Sequence, residues 1–152
     1  MGCKTMWEFE HTITTEAKKE TIWALYSNFS KWTDWDKGII FASLEGPFVQ
    51  GSKGLLQPEG QEPLPFELTN VEPLRGFSDV TDIPDAGIQI HFTHLLVELA
   101  EGTKVTHKVT ISGPNAEQLG PQIGAGFAEG IPTTMESLVS LALEKEREHA
   151  AE

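Results

Sequence analysis

Two histidines set into one long alternating stretch carry the strongest chemical signal in the chain. Residues 86–114 (AGIQIHFTHLLVELAEGTKVTHKVTISGP) read as two strands folded on a tight turn at Glu101-Gly102, because a short glycine-containing link between alternating runs marks a hairpin. With those two residues as the loop, Ala100 lies opposite Thr103, His94 opposite Val109 and His107 opposite Leu96. Side chains alternate along a strand. Ile88, Ile90, Phe92, His94 and Leu96 therefore share one face with Val105, His107, Val109 and Ile111, while Gln89, His91, Thr93, Lys104, Thr106, Lys108 and Thr110 take the other. In this register the two imidazoles are diagonal neighbours, about 7–8 Å apart at the backbone. A neutral imidazole offers one donor and one acceptor, enough to fix a hydroxyl or carbonyl in an apolar setting. It titrates near working pH, so it also suits general acid/base chemistry. A histidine on an apolar face is more often a core residue satisfied by a neighbouring Thr, Tyr or carboxylate, and that reading stands beside the functional ones.

The totals bound what such a site serves. A chain of 152 residues with 39% hydrophobic content suits a single domain over residues 1–152 with a sizeable core. The formal charge of −12 and the pI near 4.8 lack the positive surface that nucleic acid or anionic lipid requires. No nucleic acid partner is expected, and no membrane insertion, since no apolar run approaches the roughly 20 residues of a spanning helix. The single Cys3 has no intrachain partner and suits a reducing compartment. The expectation is a cytoplasmic protein, monomer or homodimer.

The elements that position the histidines follow in order. Residues 6–14 (MWEFEHTIT) alternate, with Trp7, Phe9, His11 and Ile13 on one face of a half-buried strand. Residues 14–29 place Ile22, Leu25, Tyr26 and Phe29 at helical spacing. The aromatic segment 30–36 (SKWTDWD) is a turn or short helix laying Trp32 and Trp35 over the core. Residues 39–45, 53–58, 65–71 and 77–83 read as four strands separated by glycine and proline turns. If Pro84-Asp85 forms the last of these turns, Phe77, Asp79 and Thr81 point inward with Ile88, Ile90 and Phe92, with Ile90 across from Asp79 and Arg75 across from His94. Residues 115–152 are helical, with an apolar stripe of Ile123, Phe127, Ile131, Met135, Leu138 and Ala142 and a bend or break expected near residues 130–132 at Pro132. An antiparallel sheet with one apolar face and one amphipathic helix bury those surfaces against each other, an α+β architecture whose inward face lines a cavity.

The residues Glu20-Thr-Ile-Trp23, Trp32-Thr-Asp-Trp35 and Leu44-Glu-Gly-Pro-Phe48 make the chain resemble the START/Bet v 1-like (SRPBCC) superfamily, nearest its polyketide cyclase/dehydrase-like group. Gly102-Thr-Lys-Val-Thr-His107 leading to Ser112-Gly-Pro114 adds to the match. The resemblance covers nearly the whole chain and implies the helix-grip fold, a seven-stranded antiparallel sheet wrapped around a long C-terminal helix with two short helices after strand 1. It also implies that the first strand lies beside the last, which is next to the second-last. His11, His107 and His94 then stand on three adjacent strands facing inward. Relatives of this kind carry hydroxy-lipids or plant hormones, act as aromatase/cyclases, or activate chaperones.

The expected function is binding of a small hydrophobic molecule, a lipid, polyketide or similar, between sheet and C-terminal helix. Ile90, Phe92, His94, Val105, His107, Val109, Phe127, Ile131 and Met135 would line the cavity, with His11 and Asp79 at its polar end. The alternative is a polyketide cyclase/dehydratase using His107 or His94 as general acid/base. A zinc site on His11, His94 and His107 ranks last, because three nitrogens must lie within about 2.0–2.1 Å of one point; no cofactor or metal is expected. An inward Asp79 is costly unless paired, and Arg75 is the candidate partner, as a structural pair or as part of the rim. A third class, a protein–protein module, would show a filled core and a large exposed apolar patch.

Overall fold

The computed structural model describes residues 6–150; Cys3 falls outside them. Strand β1 (Met6–Thr15) leads into helix α1 (Lys19–Ser27), and a 3-10 turn at Phe29–Lys31 runs into the short helix α2 (Trp32–Trp35). Six strands follow: β2 (Ile39–Glu45), β3 (Lys53–Pro58), β4 (Leu64–Glu72), β5 (Gly76–Ile83), β6 (Ile88–Leu99) and β7 (Gly102–Ser112). The long helix α3 (Ala116–Ala150) ends the fold. The sheet is antiparallel throughout, in the order β1-β7-β6-β5-β4-β3-β2. This is the helix-grip arrangement expected from the resemblance, including β1 beside β7.

The faces agree with the alternation, but two registers differ from the expectation. The β6–β7 loop is Ala100-Glu101, so Leu99 pairs with Gly102 and His94 lies directly opposite His107. Gly102 is not spent on the turn. Its φ of 136° and its approach to the Thr15 carbonyl, where a Cβ would collide, require glycine at the start of β7. Between β5 and β6 the loop spans four residues, 84–87: a 3-10 turn at Pro84–Ala86, then Gly87 in the left-handed region at φ 68°. Asp79 therefore faces Phe92 rather than Ile90, and Phe77 rather than Arg75 stands opposite His94. Arg75 is exposed in the turn before β5 and is no partner for Asp79. Each loop change displaces partners by two positions, so no side chain changes face.

Helix α3 runs unbroken through Pro121 and Pro132, so the expected break is absent. Each proline removes one backbone donor, while packing on both sides of Pro132 keeps the helix in line: Ile131 is 8% exposed and Met135 fully buried. The first half of α3 sits close to β1 because Gly120 and Gly124 make room for Trp7. A Cβ on Gly120 would lie 2.6 Å from that of Trp7, and one on Gly124 would overlap the indole ring. The far end is tied down where the Lys18 backbone N–H donates to Glu146 at 2.8 Å. Between these ends Met135, Leu138 and Ala142 bury completely against the sheet and α1, and a fully buried Met or Leu contributes about 1.5–3 kcal/mol.

Candidate functional site

The inner face is organised in cross-strand rows. One row joins His11 on β1, His107 on β7, His94 on β6 and Phe77 on β5. The next joins Phe9, Val109, Phe92, Asp79 and, on β4, Leu68. The expected polar residues are thus brought onto adjacent rows of one apolar wall.

His94 and His107 are both buried, with ring centroids 4.6 Å apart. His94 stacks on Phe77 at 4.0 Å with its plane tilted by 9°. Its Nδ1 lies 3.2 Å from the Phe77 carbonyl; a carbonyl only accepts, so Nδ1 carries the proton and Nε2 keeps a lone pair. Burial pushes this imidazole down to about 4, against the opposing pull of the Phe77 carbonyl bond. On His107, Nε2 lies 2.7 Å from the Tyr26 hydroxyl. Burial holds the Tyr26 hydroxyl well above its usual range. Burial, with His94 and His11 nearby, holds His107 well below its own. With both groups neutral, the donor in this bond is set by the His107 tautomer. Tyr26 itself is wedged among Phe77, His94 and Trp35 at centroid distances of 5.1, 5.5 and 5.7 Å. The pair leaves His94 Nε2 as an acceptor and His107 Nδ1 as a donor or acceptor according to its tautomer, together able to meet one hydroxyl.

Asp79 is 3% exposed and its Oδ1 has no hydrogen-bond partner. Burial, then the charge of Asp36, pushes its carboxyl up to about 8. Asp36 follows α2, is half-buried, and accepts from the Gly38 N–H at 3.0 Å. Its carboxyl is also raised by burial, with the Gly38 bond pulling the other way. His11 is half-buried beside His107. No group of three His, Cys, Asp or Glu among the described residues could hold a metal.

The apolar candidates divide by burial. Val105, Val109 and Met135 are fully buried, and Ile90 and Ile131 nearly so. Phe92 and Phe127 are half-buried and meet edge-to-face at 5.3 Å across the gap between β6 and α3. Two surface clefts, of about 700 and 400 Å³, open instead at the hairpin end of the sheet, around Lys19 and Glu98. Two members of the polar cluster escaped the sequence reading. Tyr26 is the only tyrosine, and it stood in the helix stripe as a core residue; a buried phenol needs a partner, which was the available signal. Asp36 gave none, because its place beside Asp79 is purely tertiary.

A family model described as "Polyketide cyclase / dehydrase and lipid transport" matches residues 6–150. No curated protein matches by sequence. Among solved structures the chain is similar to Ara h 8.0201, with 11% identity and a TM-score of 0.73 over 91% of this chain and 99% of that one. It is also similar to norcoclaurine synthase from Thalictrum flavum in complex with dopamine and hydroxybenzaldehyde, with 15% identity and a TM-score of 0.72 over 93% and 89%. The di-domain aromatase/cyclase StfQ of the steffimycin biosynthetic pathway gives 8% identity and a TM-score of 0.78 over 93% of this chain and 52% of its own. At these identities the likeness is one of fold. No helix among the described residues is long and apolar enough to cross a membrane.

Proposed function

This chain belongs to the polyketide cyclase/dehydrase and lipid transport family, and from that premise we propose that it holds a small hydrophobic molecule between the inner face of its sheet and α3. His94, His107 and Asp79 meet the polar end of that molecule, and Phe92, Val109, Phe127 and Met135 its apolar body. The observation that carries this reading is hydrogen-bonding capacity left unspent in an apolar wall. Asp79 Oδ1 is buried with no partner, and His94 Nε2 and His107 Nδ1 stand on the neighbouring row. A buried polar group without a partner costs about 1–3 kcal/mol, and a ligand that satisfies the Asp79 oxygen recovers it. Entry requires Phe92 and Phe127 to part, and their half-buried rings are the ones placed to do so. Native mass spectrometry before and after organic extraction tests the reading. A bound small molecule lost on extraction, or uptake of an added medium-chain alcohol into the emptied protein, is expected. A bare mass in both samples with no uptake refutes it.

The Tyr26–His107 hydrogen bond favours a second reading, an enzyme in which the phenol and imidazole pass a proton to or from a cyclising substrate. Against it, His94 at about 4 is a weak proton acceptor at neutral pH. Binding is therefore the primary proposal. Replacing His107 with Gln separates the two: a carrier keeps most of its affinity, whereas an enzyme loses turnover with affinity little changed.

A further inference from the structure

Resting on the ligand-holding reading above, we infer that the buried, unpartnered carboxyl of Asp79 selects a ligand bearing a primary amine on an apolar body. Asp79 sits in the middle of β5, facing inward, between Leu68 and Phe92 across the strands. Neither neighbour's side chain has a donor to give it, and its Oδ1 is buried and unpartnered. Asp36 approaches from the end of α2 with its Gly38 bond already made. Among the described residues the buried polar and charged ones are Asp79, Thr81, His94, Thr103 and His107, with no Lys or Arg among them. The other titratable groups of the inner wall are His94, His107 and Tyr26, held in their neutral forms by burial, and the half-buried His11 on β1, on the far side of β7 and β6 from Asp79. The buried face of α3, with Ile131, Met135 and Leu138, brings none.

Three ligand chemistries compete for two such carboxyls. A metal ion finds no third protein ligand among the described residues. An alcohol satisfies one oxygen but brings no charge to favour the ionised carboxyl. An alkylammonium brings three donors and a positive charge, so it satisfies the orphaned oxygen and offsets the burial and the Asp36 charge that disfavour ionised Asp79. Asp79 is mostly protonated at pH 7, so seating the ammonium ion expels that proton to solvent. Affinity for the amine therefore rises with pH up to about 8 and then levels.

Isothermal titration of the full chain with n-octylamine and with 1-octanol at pH 6, 7 and 8 tests this. At pH 8 octylamine should bind at least about tenfold tighter than octanol, and below pH 8 that advantage should fall by up to about tenfold per pH unit. Repeating the pH 7 titration in buffers of different ionisation heat should show release of close to one proton. Asp79→Asn should erase the preference for the amine over the alcohol, and Asp36→Asn should reduce it. Equal binding of both probes to the unmutated protein overturns the amine inference and leaves the chamber standing. A preference that survives Asp79→Asn overturns it as well, because the cation is then held elsewhere. Failure of both probes to bind overturns the chamber and this inference with it.

Discussion

Replacing Asp79 with Asn should stabilise the protein at neutral pH and leave it little changed near pH 4. The carboxyl moves from an ordinary 3.8 to about 8 on folding. Between those values the unfolded chain has released the proton that the native state retains. Stability therefore falls as pH rises through that window, by about 1.4 kcal/mol per unit. The stabilisation is complete below 3.8 and lost by about 8. At pH 7 the accumulated cost is at most about 4 kcal/mol, a ceiling because an Asn amide in the same place is itself imperfectly satisfied. His94 and His107 act in the opposite sense: their depressed values favour the fold as pH rises through the ordinary histidine range. Both proteins share them, so the difference between variant and parent isolates Asp79. Urea unfolding at pH 4, 5, 6, 7 and 8 reads it out. With a slope of about 2 kcal/mol/M for a domain of this size, the midpoint of the variant should exceed the parent's by up to about 2 M at pH 7 and by little at pH 4. A difference that stays flat from pH 4 to 8, or a variant less stable at pH 7, would refute the reasoning.

Two further substitutions probe the packing around the site. Tyr26→Phe leaves His107 Nε2 buried without its partner and should cost about 1–3 kcal/mol, measured by the same unfolding; a loss below about 0.5 kcal/mol would show that water or a rotated imidazole replaces the phenol. Gly124→Ala drives a methyl into the Trp7 indole and should cost about 1–3 kcal/mol, whereas Gly126→Ala, with nothing within 4 Å, should gain about 0.5–1 kcal/mol. Thermal melts of the two variants should therefore move in opposite directions.

Which side chains face inward was legible because the strand period is two. Moving the β6–β7 loop by one residue, or lengthening the β5–β6 loop to four, changes partners without changing faces, so His94, His107 and Asp79 stayed inside. The exact partners were not legible. Gly102 reads as a turn glycine, yet it serves the close pass of β7 by the Thr15 carbonyl, and a lone sequence does not distinguish those duties. Pro132 reads as a helix breaker, yet its single missing donor is outweighed by the packing of Ile131 and Met135. Asp36 shows the same limit more sharply. Nothing near it in sequence foretells Asp79, because its charge bears on Asp79 only once α2 has folded over β5, where Trp32 stacks on Phe77.

On the proposed reading, the perturbed groups also account for how one wall would meet both a greasy body and a polar head. His94 is neutral above about 4 and Asp79 is neutral below about 8. Across that interval both keep their hydrogen-bonding atoms and shed their charge. An uncharged wall imposes little desolvation penalty on an apolar ligand, while the retained donors and acceptors still orient its head. A ligand that carries its own positive charge then changes the state of the wall, by driving a proton from Asp79, and so gains an attraction that a neutral competitor does not receive. Discrimination by charge arises on binding, when the incoming cation displaces the Asp79 proton.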